Sequence, residues 1–341
     1  MSKELIVKDN KLIEAKYSLS TLQQKVLLKA ISLIEPTDTD KLIYRFSIID
    51  FAEDVNLKGS TTVYKQIKTV CKELINLKNL YLEKENDGFL FINWVASAEY
   101  IANEAVVEIE FSRKLMPYLV ELKKQFTTYY LANVMTLKSN YSIRLFELLK
   151  QYEKIKKRTI DLEELRKMVG TTEIEHNGKI IKEDYPLYGH FKSRVILPAQ
   201  KELKQKTDIY FNFQEIKQGR KVVAIEFEIF ENIKNKKKIQ NALDFSQLSL
   251  DIMELQRKFK EKTNLDIKYE TLDDLIKEKG FDIVKKYIDN WDKFKHQTKK
   301  NVLGFFIVAV KQEYDIPTEE KGRKFEFEKN NDYNWDSMYE N

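Results

Sequence analysis

Apolar residues recur at helical spacing in two stretches near the start of the chain, and each stretch has a recognisable beginning. The first follows Ser20, a residue type that caps helices, and its apolar face consists of Leu22, Val26, Leu27, Ala30, Ile31 and Ile34. The second follows a turn at Gly59 and Ser60 and would bury Val63, Ile67, Val70, Cys71 and Leu74. These patterns predict helices over residues 20–34 and 61–76, with a shorter helix at 48–55 between them.

Strand-like runs surround these helices. Residues 42–46 predict a short strand, and residues 80–83 and 89–96 predict two more, joined by the hairpin signal Asn86-Asp87-Gly88. Three helices followed by a hairpin is the order of a winged helix-turn-helix. A third strand at 105–111 is expected to extend the sheet of this wing, and short helices are expected around 115–122 and 128–135.

The central stretch 137–152 predicts an amphipathic helix. Its apolar face consists of Tyr141, Leu145, Leu148, Leu149 and Tyr152, while Lys138, Arg144 and Lys150 are expected to face solvent. Ser139 is a plausible N-cap, and the amides of the first turn beside Lys138 and Arg144 would form a phosphate site.

The same order of elements then recurs. Asp161 and Gly170 bracket a short helix at 162–169, and a longer helix at 187–206 would bury Phe191, Val195, Ala199 and Leu203. Pro198 inside the longer helix predicts a kink or a break. Two strands at 209–216 and 222–230 enclose a basic hairpin tip, so the sequence predicts a second winged helix.

The expected fold class is therefore α+β, with two tandem winged helix-turn-helix domains and a small all-α domain. The domains are placed at 1–126 and 127–231, followed by a basic linker at 232–244 whose polarity is typical of a connection. Residues 245–317 predict a helical unit with an apolar face at Ile283, Tyr287, Ile288 and Trp291. The tail 318–341 mixes charge with scattered aromatic residues, which predicts a flexible segment.

Composition narrows the choice of partners. The 341 residues include 59 basic and 54 acidic side chains, so a formal net charge of +5 gives no strong global field. Binding to a polyanion must therefore depend on local patches. The single cysteine, Cys71, favours a reducing compartment, and the absence of a signal peptide or membrane span predicts a soluble, cytoplasmic protein.

The residue inventory argues against most catalytic chemistry. The sequence contains no P-loop or dinucleotide fingerprint, and its three histidines, His176, His190 and His296, are too scattered for a metal site. Adjacent Tyr129 and Tyr130 could be proposed as nicking nucleophiles, but without a ligand cluster beside them, packing in a helix is the favoured interpretation. We therefore expect no catalytic site, no metal and no cofactor.

Basic residues concentrate in the second winged helix. Residues 187–221 contain eight basic and three acidic side chains, and this charge would lie on the recognition helix and wing tip. Arg194 is the best candidate for a base contact, because its guanidinium can bond guanine bidentately. Lys192, Lys201, Lys204, Arg220 and Lys221 are expected at phosphates. The alternative is an ordinary solvated, lysine-rich face.

The full set of candidate DNA-binding residues includes the polar face of the helix at 61–76 and the entrance of the central helix. In chain order the candidates are Thr61, Thr62, Lys65, Lys68, Thr69, Lys72, Lys138, Ser139, Arg144, Lys192, Ser193, Arg194, Lys201, Lys204, Lys217, Arg220 and Lys221.

Three motifs carry a family resemblance. Residues 10–20 are Asn-Lys-Leu-Ile-Glu-Ala-Lys-Tyr-Ser-Leu-Ser, residues 138–149 are Lys-Ser-Asn-Tyr-Ser-Ile-Arg-Leu-Phe-Glu-Leu-Leu, and residues 191–199 are Phe-Lys-Ser-Arg-Val-Ile-Leu-Pro-Ala. Together with Glu202, Thr207 and Asp208, these motifs resemble, in order, those of theta-type plasmid replication initiators with two winged helices. Phe146 stands where the family is expected to have tyrosine.

The resemblance implies a non-enzymatic protein that binds iterons at a plasmid origin, opens adjacent DNA and recruits a host initiator, helicase or helicase loader. It also implies a monomer–dimer equilibrium, with dimers formed through the first domain repressing the initiator's own gene and so taking part in copy control. Two alternatives remain open: a transcriptional repressor without origin activity, and a protein-interaction scaffold. Residues 287–291 resemble a motif of DnaD-like domains, although Tyr287 and Trp291 are also ordinary packing residues.

Overall fold

The computed structural model describes residues 4–317 apart from 36, 58–60, 78–79, 84–87, 121, 123–124, 175–179 and 295–300. Most of the predicted turn at 86–88, the tail 318–341, His176 and His296 therefore lie outside the described residues. The chain divides into two compact units, Met1–Asp244 and Phe245–Asn341. In the part of the chain that is described, no helix is long and apolar enough to cross a membrane.

The first half of the larger unit contains a winged helix preceded by an N-terminal strand. Its elements are β1 (Leu5–Asp9), α1 (Asn10–Glu14), α2 (Thr21–Ile31), β2 (Ile43–Ser47), α3 (Ile48–Asp54), α4 (Thr61–Leu74), β3 (Leu80–Glu83), β4 (Phe89–Ile92), β5 (Val95–Ile101), β6 (Val106–Phe111) and a 3-10 turn (Met116–Tyr118). Helix α2 begins where the sequence predicts, because Ser20 and Gln23 form a reciprocal capping box. The five apolar residues predicted for α4 are all buried.

The strands of this half pair differently from the prediction. Strand β6 lies between β2 and β5 in one sheet, and β3 pairs only with β4 in another, so β6 does not extend the β3–β4 wing. The predicted strand 89–96 is interrupted at Asn93 and Trp94, and the Trp94 side chain is buried. Of the helix expected at 128–135, only residues 132–135 are helical; residues 128–130 belong to strand β7 (Phe126–Tyr130), which pairs antiparallel with β1. The expected domain boundary at 126/127 thus falls inside a strand whose partner is N-terminal.

The second winged helix follows the predicted order closely. Its elements are α5 (Ala132–Met135), α6 (Asn140–Lys150), β8 (Lys157–Asp161), α7 (Leu162–Met168), β9 (Thr172–Ile174), β10 (Ile180–Glu183), α8 (Tyr188–Phe191), a π-helical segment (Lys192–Ile196), α9 (Leu197–Lys206), β11 (Ile209–Gln218) and β12 (Lys221–Glu231). Strands β11, β12 and β8 form one antiparallel sheet.

Helix α7 begins after Asp161 and ends before Gly170, the two residues that the sequence predicts as its cap and its stop. The Asp161 carboxylate accepts hydrogen bonds from the Glu163 and Glu164 amides, and Gly170 follows the helix with φ +78°. A Cβ atom on Gly170 would lie 2.6 Å from the carbonyl oxygen of Tyr17. Glycine therefore serves both the helix end and the close approach of the N-terminal segment.

The kink or break predicted at Pro198 takes the form of the π-helical segment Lys192–Ile196 just before the proline. Proline has no N–H for the carbonyl four residues earlier, which is that of Arg194. The helix widens just before the proline, and the Leu197 amide donates to the Lys192 carbonyl five residues back. Residues 188–206 therefore continue as one helical element with a local change in winding.

The smaller unit is helical. Helix α10 (Ile233–Thr263) begins in the larger unit, so residues 233–244 of the predicted linker are helical instead of irregular. It is followed by α11 (Tyr269–Lys279), α12 (Phe281–Asp289), a 3-10 turn (Trp291–Lys293) and α13 (Val302–Lys311). Tyr287 and Trp291 are buried in this core, and the Tyr287 hydroxyl donates to the Tyr314 carbonyl at 2.6 Å. These contacts are those of packing residues.

Candidate nucleic-acid interface

The exposed side of residues 188–206 carries a basic face, formed by Arg194, Lys201 and Lys204. The opposite side is anchored in the core through Phe191, Val195, Ile196, Ala199 and Leu203. Ser193 is also exposed, but its hydroxyl donates to the His190 carbonyl, so it is partly committed to the helix backbone. Burial of one side fixes the other toward solvent, as a recognition helix requires.

Glu215 organises the cations at the base of the wing. Its carboxylate pairs with Lys192 at 2.7 Å and with Lys217 at 3.2 Å, and it accepts a hydrogen bond from Tyr188 at 2.9 Å. The hydrogen bond from Lys192, with the others, lowers the pKa of Glu215 to about 2. Lys192 and Lys217 are therefore partly neutralised, whereas Arg220 and Lys221 at the wing tip are exposed.

The other two acidic residues of this segment are also occupied. Glu202 pairs with Lys206, and Asp208 pairs with Lys150 at 2.7 Å. Among the described residues, five cations of the recognition helix and wing have no acidic partner: Arg194, Lys201, Lys204, Arg220 and Lys221. The ion pairs thus distinguish these five cations from the other three basic residues of the segment, which are paired with acids. The sequence alone could not make this distinction.

The phosphate site predicted at the start of α6 is filled by a side chain of the protein. Ser139 caps the helix as expected, its hydroxyl accepting from the Tyr141 amide. The Glu202 carboxylate, however, accepts hydrogen bonds from the backbone amides of Lys138 and Ser139 at 3.0 and 3.3 Å. A carboxylate at a helix N-terminus satisfies the same donors that a phosphate would use. Lys138 itself remains exposed.

Arg144 was expected at solvent, and this expectation is wrong, because its side chain is 1% exposed. The guanidinium donates to the carbonyls of Ile13, Ala15 and Met168 and to the Tyr17 hydroxyl, and it pairs with Glu147. These partners occupy the N–H donors of the Arg144 guanidinium inside the protein. Lys150, likewise expected at solvent, is buried against Asp208. Neither cation is available to DNA.

Arg144 belongs to a buried cluster that also contains Lys8, Tyr17, Tyr129 and Glu147. The Glu147 carboxylate accepts from Lys8 at 2.8 Å and from the Tyr129 hydroxyl at 2.5 Å. Burial alone would raise the pKa of Glu147, but Lys8 and Arg144 outweigh it and hold the pKa below its ordinary value. Burial also raises the pKa of the Tyr129 phenol. Tyr129 lies in a strand, not in the expected helix, and is a packing residue.

Helix α4 presents the candidates of the first winged helix. Thr62, Lys65, Lys68, Thr69 and Lys72 are exposed, and within the described part of the chain none of the three lysines forms an ion pair. The Lys68 ammonium lies 5.9 Å from the centre of the Tyr100 ring, and the Thr69 hydroxyl donates to the Lys65 carbonyl. Thr61 begins the helix, and its side chain lies outside what the structure describes.

A basic turn that the sequence pattern does not place at the interface lies beside the end of the recognition helix. It consists of Lys234, Lys237 and Lys238 in the first turns of α10, all exposed. Asn232 and Asn235 anchor this turn, because both side-chain amides donate to the Lys204 carbonyl, at 2.8 and 3.3 Å. The signal in the sequence was the lysine run itself, which was interpreted as the polarity of a linker.

The exposed cations therefore form candidate surfaces for an anionic polymer. Arg194, Lys201 and Lys204 lie on a helix, Arg220 and Lys221 lie at a hairpin tip, and the basic turn adjoins the helix end. Phosphate contacts from lysine and arginine depend on charge and exposure, which these residues have. Within the described ranges no group of three His, Cys, Asp or Glu side chains could hold a metal ion.

Comparison with protein families identifies both halves of the larger unit. Residues 5–150 match the model "Initiator Replication protein, WH1", and residues 161–229 match "Initiator Rep protein, WH2". Together the matched ranges span more than half of the chain. The first range includes the first winged helix and continues through β7, α5 and α6 to Lys150, and the second range runs from the end of β8 through most of β12.

Two similar proteins come from Escherichia coli. The "PI protein" is 33% identical over 186 residues, covering 52% of this chain but only 58% of that protein. A "Replication initiation protein" is 24% identical over 243 residues, covering 67% of this chain and 70% of that protein.

The solved structure described as "Crystal structure of Pi initiator protein in complex with iteron DNA" is similar in fold. Its TM-score is 0.58 at 24% identity, and the match covers 68% of this chain and 99% of that one. The expected fold class, two winged helices with a helical C-terminal region, is confirmed.

Proposed function

The chain belongs to the initiator replication protein family, and from this premise we propose that it initiates plasmid replication by binding repeated sequences, iterons, at the plasmid origin. It acts on double-stranded DNA by binding, without catalysis, in the cytoplasm. DNA opening beside the repeats and recruitment of a host initiator, helicase or helicase loader would follow from the bound complex.

The observation that carries this proposal is the set of five unpaired cations on the recognition helix and wing. Glu202, Asp208 and Glu215 are occupied by other partners, so Arg194, Lys201, Lys204, Arg220 and Lys221 keep their charge for an external anion. The alternative, an ordinary solvated face rich in lysine, would not require the neighbouring acidic side chains to be engaged in ion pairs. The arrangement instead suits a duplex, with the helix in the major groove and the wing at the backbone.

Within this proposal the second winged helix supplies sequence recognition. Arg194 contacts a guanine, because its fork matches the O6 and N7 acceptors, and the lysines and Arg220 hold phosphates. Helix α4 of the first winged helix adds phosphate contacts through Lys65, Lys68 and Lys72. The first domain also provides the dimer contact of a monomer–dimer equilibrium, in which the dimer represses the gene for this protein and limits copy number.

A footprint on the DNA flanking the gene tests the proposal. We expect protection of several direct repeats of about two helical turns each, and binding whose affinity falls steeply with salt. The variant Arg194→Ala should weaken binding about 10- to 100-fold at a repeat, whereas Lys285→Ala, an exposed lysine of α12, should change it little.

Two outcomes would contradict the proposal. Protection of a lone inverted repeat at the promoter, without direct repeats, would favour a transcriptional repressor. No retention of DNA at moderate salt would leave a protein-interaction scaffold.

A further inference from the structure

Leu197 interrupts the basic face of the recognition helix with an apolar side chain. It is 43% exposed, although the nearby residues Ile196 and Ala199 are buried. Leu197 precedes Lys201 by four positions within α9, which places these two side chains on one side of the helix, and Arg194 is exposed just before them. The centre of the basic face is therefore apolar.

The helix geometry keeps this leucine in place. Its amide is held by the bond to the Lys192 carbonyl that closes the π-helical segment, and Pro198 follows directly with a fixed backbone angle. On the inward side, Ala199 and Leu203 lock the rotation of α9 in the core. Leu197 cannot turn into the protein without unwinding this segment.

We infer that Leu197 contacts the C5-methyl group of a thymine in the major groove. The inference rests on the proposed function, because it requires the helix to lie in that groove. The thymine methyl is the largest apolar group that base pairs expose there; cytosine carries only a hydrogen at the same position, and N7, O6, N6, O4 and N4 are hydrogen-bonding groups. A leucine against those groups would remove their water without replacing its hydrogen bonds. The contact therefore selects thymine.

The position of the thymine follows from the neighbours. Arg194 precedes Leu197 along the exposed side of the helical element and Lys201 follows it one turn later on the same face, so the thymine is expected near the guanine bound by Arg194 and inside the phosphate contacts of Lys201. Leucine thus adds sequence recognition by an apolar contact to the polar contact made by Arg194. Charge alone could not supply this recognition, since phosphates carry no sequence information.

Replacing single thymines by deoxyuridine tests the contact, because this change removes only the methyl group. The probe is the duplex that the full-length protein enriches from a random-sequence library. For the unaltered protein we expect one replacement to weaken binding about fourfold, the effect of exposing one buried methyl-sized group. In Leu197→Ala the same replacement should have almost no effect, while in Leu197→Met it should still weaken binding.

The control is Leu265→Ala, which removes a leucine of similar exposure, 41%, from the other compact unit. It should keep the full deoxyuridine effect. Thermal unfolding of each variant shows that the fold persists.

If an enriched sequence is bound but Leu197→Ala and the unaltered protein respond alike to every replacement, the thymine contact is wrong while the proposed function stands. If the protein enriches no sequence at all, the proposed function fails, and this contact fails with it.

Discussion

Arg144 and Glu147, one turn apart on α6, form an ion pair 2.9 Å long in which both side chains are 1% exposed. The pair connects distant parts of the chain, because Arg144 also donates to the carbonyls of Ile13 and Ala15, and Glu147 accepts from Lys8. The N-terminal segment and the central helix, which the sequence shows as two separate motifs, are thus joined in one buried cluster. Arg144 extends the cluster to the end of α7, because it also donates to the Met168 carbonyl.

Substituting Arg144 by methionine should strongly destabilise the larger unit. The change leaves Glu147 with one cation fewer and leaves several buried carbonyls without a donor, which together cost about 3–5 kcal/mol. Urea unfolding measures the destabilisation. Lys138→Met, at the exposed entrance of the same helix, should stay within about 0.5 kcal/mol. The outcome that would contradict this prediction is an Arg144→Met variant that keeps its stability but whose DNA affinity depends less steeply on salt, by about one unit of slope. Arg144 would then contact a phosphate of the DNA.

Removing the carboxylate of Glu202 should loosen the packing between α9 and the start of α6. Glu202→Ala leaves the Lys138 and Ser139 amides unpaired and should lower the free energy of unfolding by about 1–2 kcal/mol at pH 7.

The effect of this substitution should depend on pH. Burial would raise the pKa of Glu202, but hydrogen bonds from the Lys206 ammonium and the Lys138 amide outweigh it and hold the pKa below its ordinary value. The stabilisation is therefore present above the unfolded-state pKa near 4.5 and is lost as the pH falls below it. Guanidinium unfolding at pH 7 and pH 3 should show a shrinking difference between the two proteins. A constant difference would contradict the role of the ionised carboxylate.

The basic turn should add to DNA binding without setting its sequence. Replacing Lys234, Lys237 and Lys238 together by glutamine should reduce the salt slope by up to about three units, about one for each phosphate that is no longer bound. The control replaces three exposed lysines of the other unit, Lys268, Lys285 and Lys293, and so removes the same charge. Equal slopes for the two triple variants would mean that the turn binds no phosphate of its own. The enriched sequence should remain the same in both.

The buried, charged side chain of Lys25 should lower the free energy of unfolding at neutral pH. It is 8% exposed on α2, and burial, together with the nearby Lys206, lowers its pKa to about 8, with Glu202 opposing the shift. The Lys25 amine therefore binds its proton less tightly in the folded state than in the unfolded chain. Lys25→Met should raise stability by on the order of 1 kcal/mol at pH 7.

The gain from Lys25→Met should shrink as the pH rises from about 8 toward 10.5, where the lysine becomes neutral in both states. Thermal unfolding across this pH range measures it. Lys11→Met, at an exposed position, should show no such trend. A gain that stays constant over this range would indicate packing as its source.

Local signals explain why much of the fold was predictable. The capping box at Ser20 and Gln23, the Asp161 cap and the positive backbone angle of Gly170 are decided within a few residues, and each helix they delimit is present. The errors concern pairing between distant segments. Strand β6 joins β2 instead of the wing, and residues 126–130 form a strand because β1 supplies a partner more than a hundred residues away.

The sequence by itself determined the repeated order of helices and strands, the buried face of each recognition helix and the concentration of positive charge near residues 187–221. Periodicity and composition are properties of neighbouring residues, so no folded structure was needed to see them. Tertiary structure decided which charges remain available. Glu202 occupies the predicted phosphate site, Arg144 and Lys150 are buried, and Lys234 joins the basic surface, because ion pairing and burial depend on residues that meet only after the chain has folded.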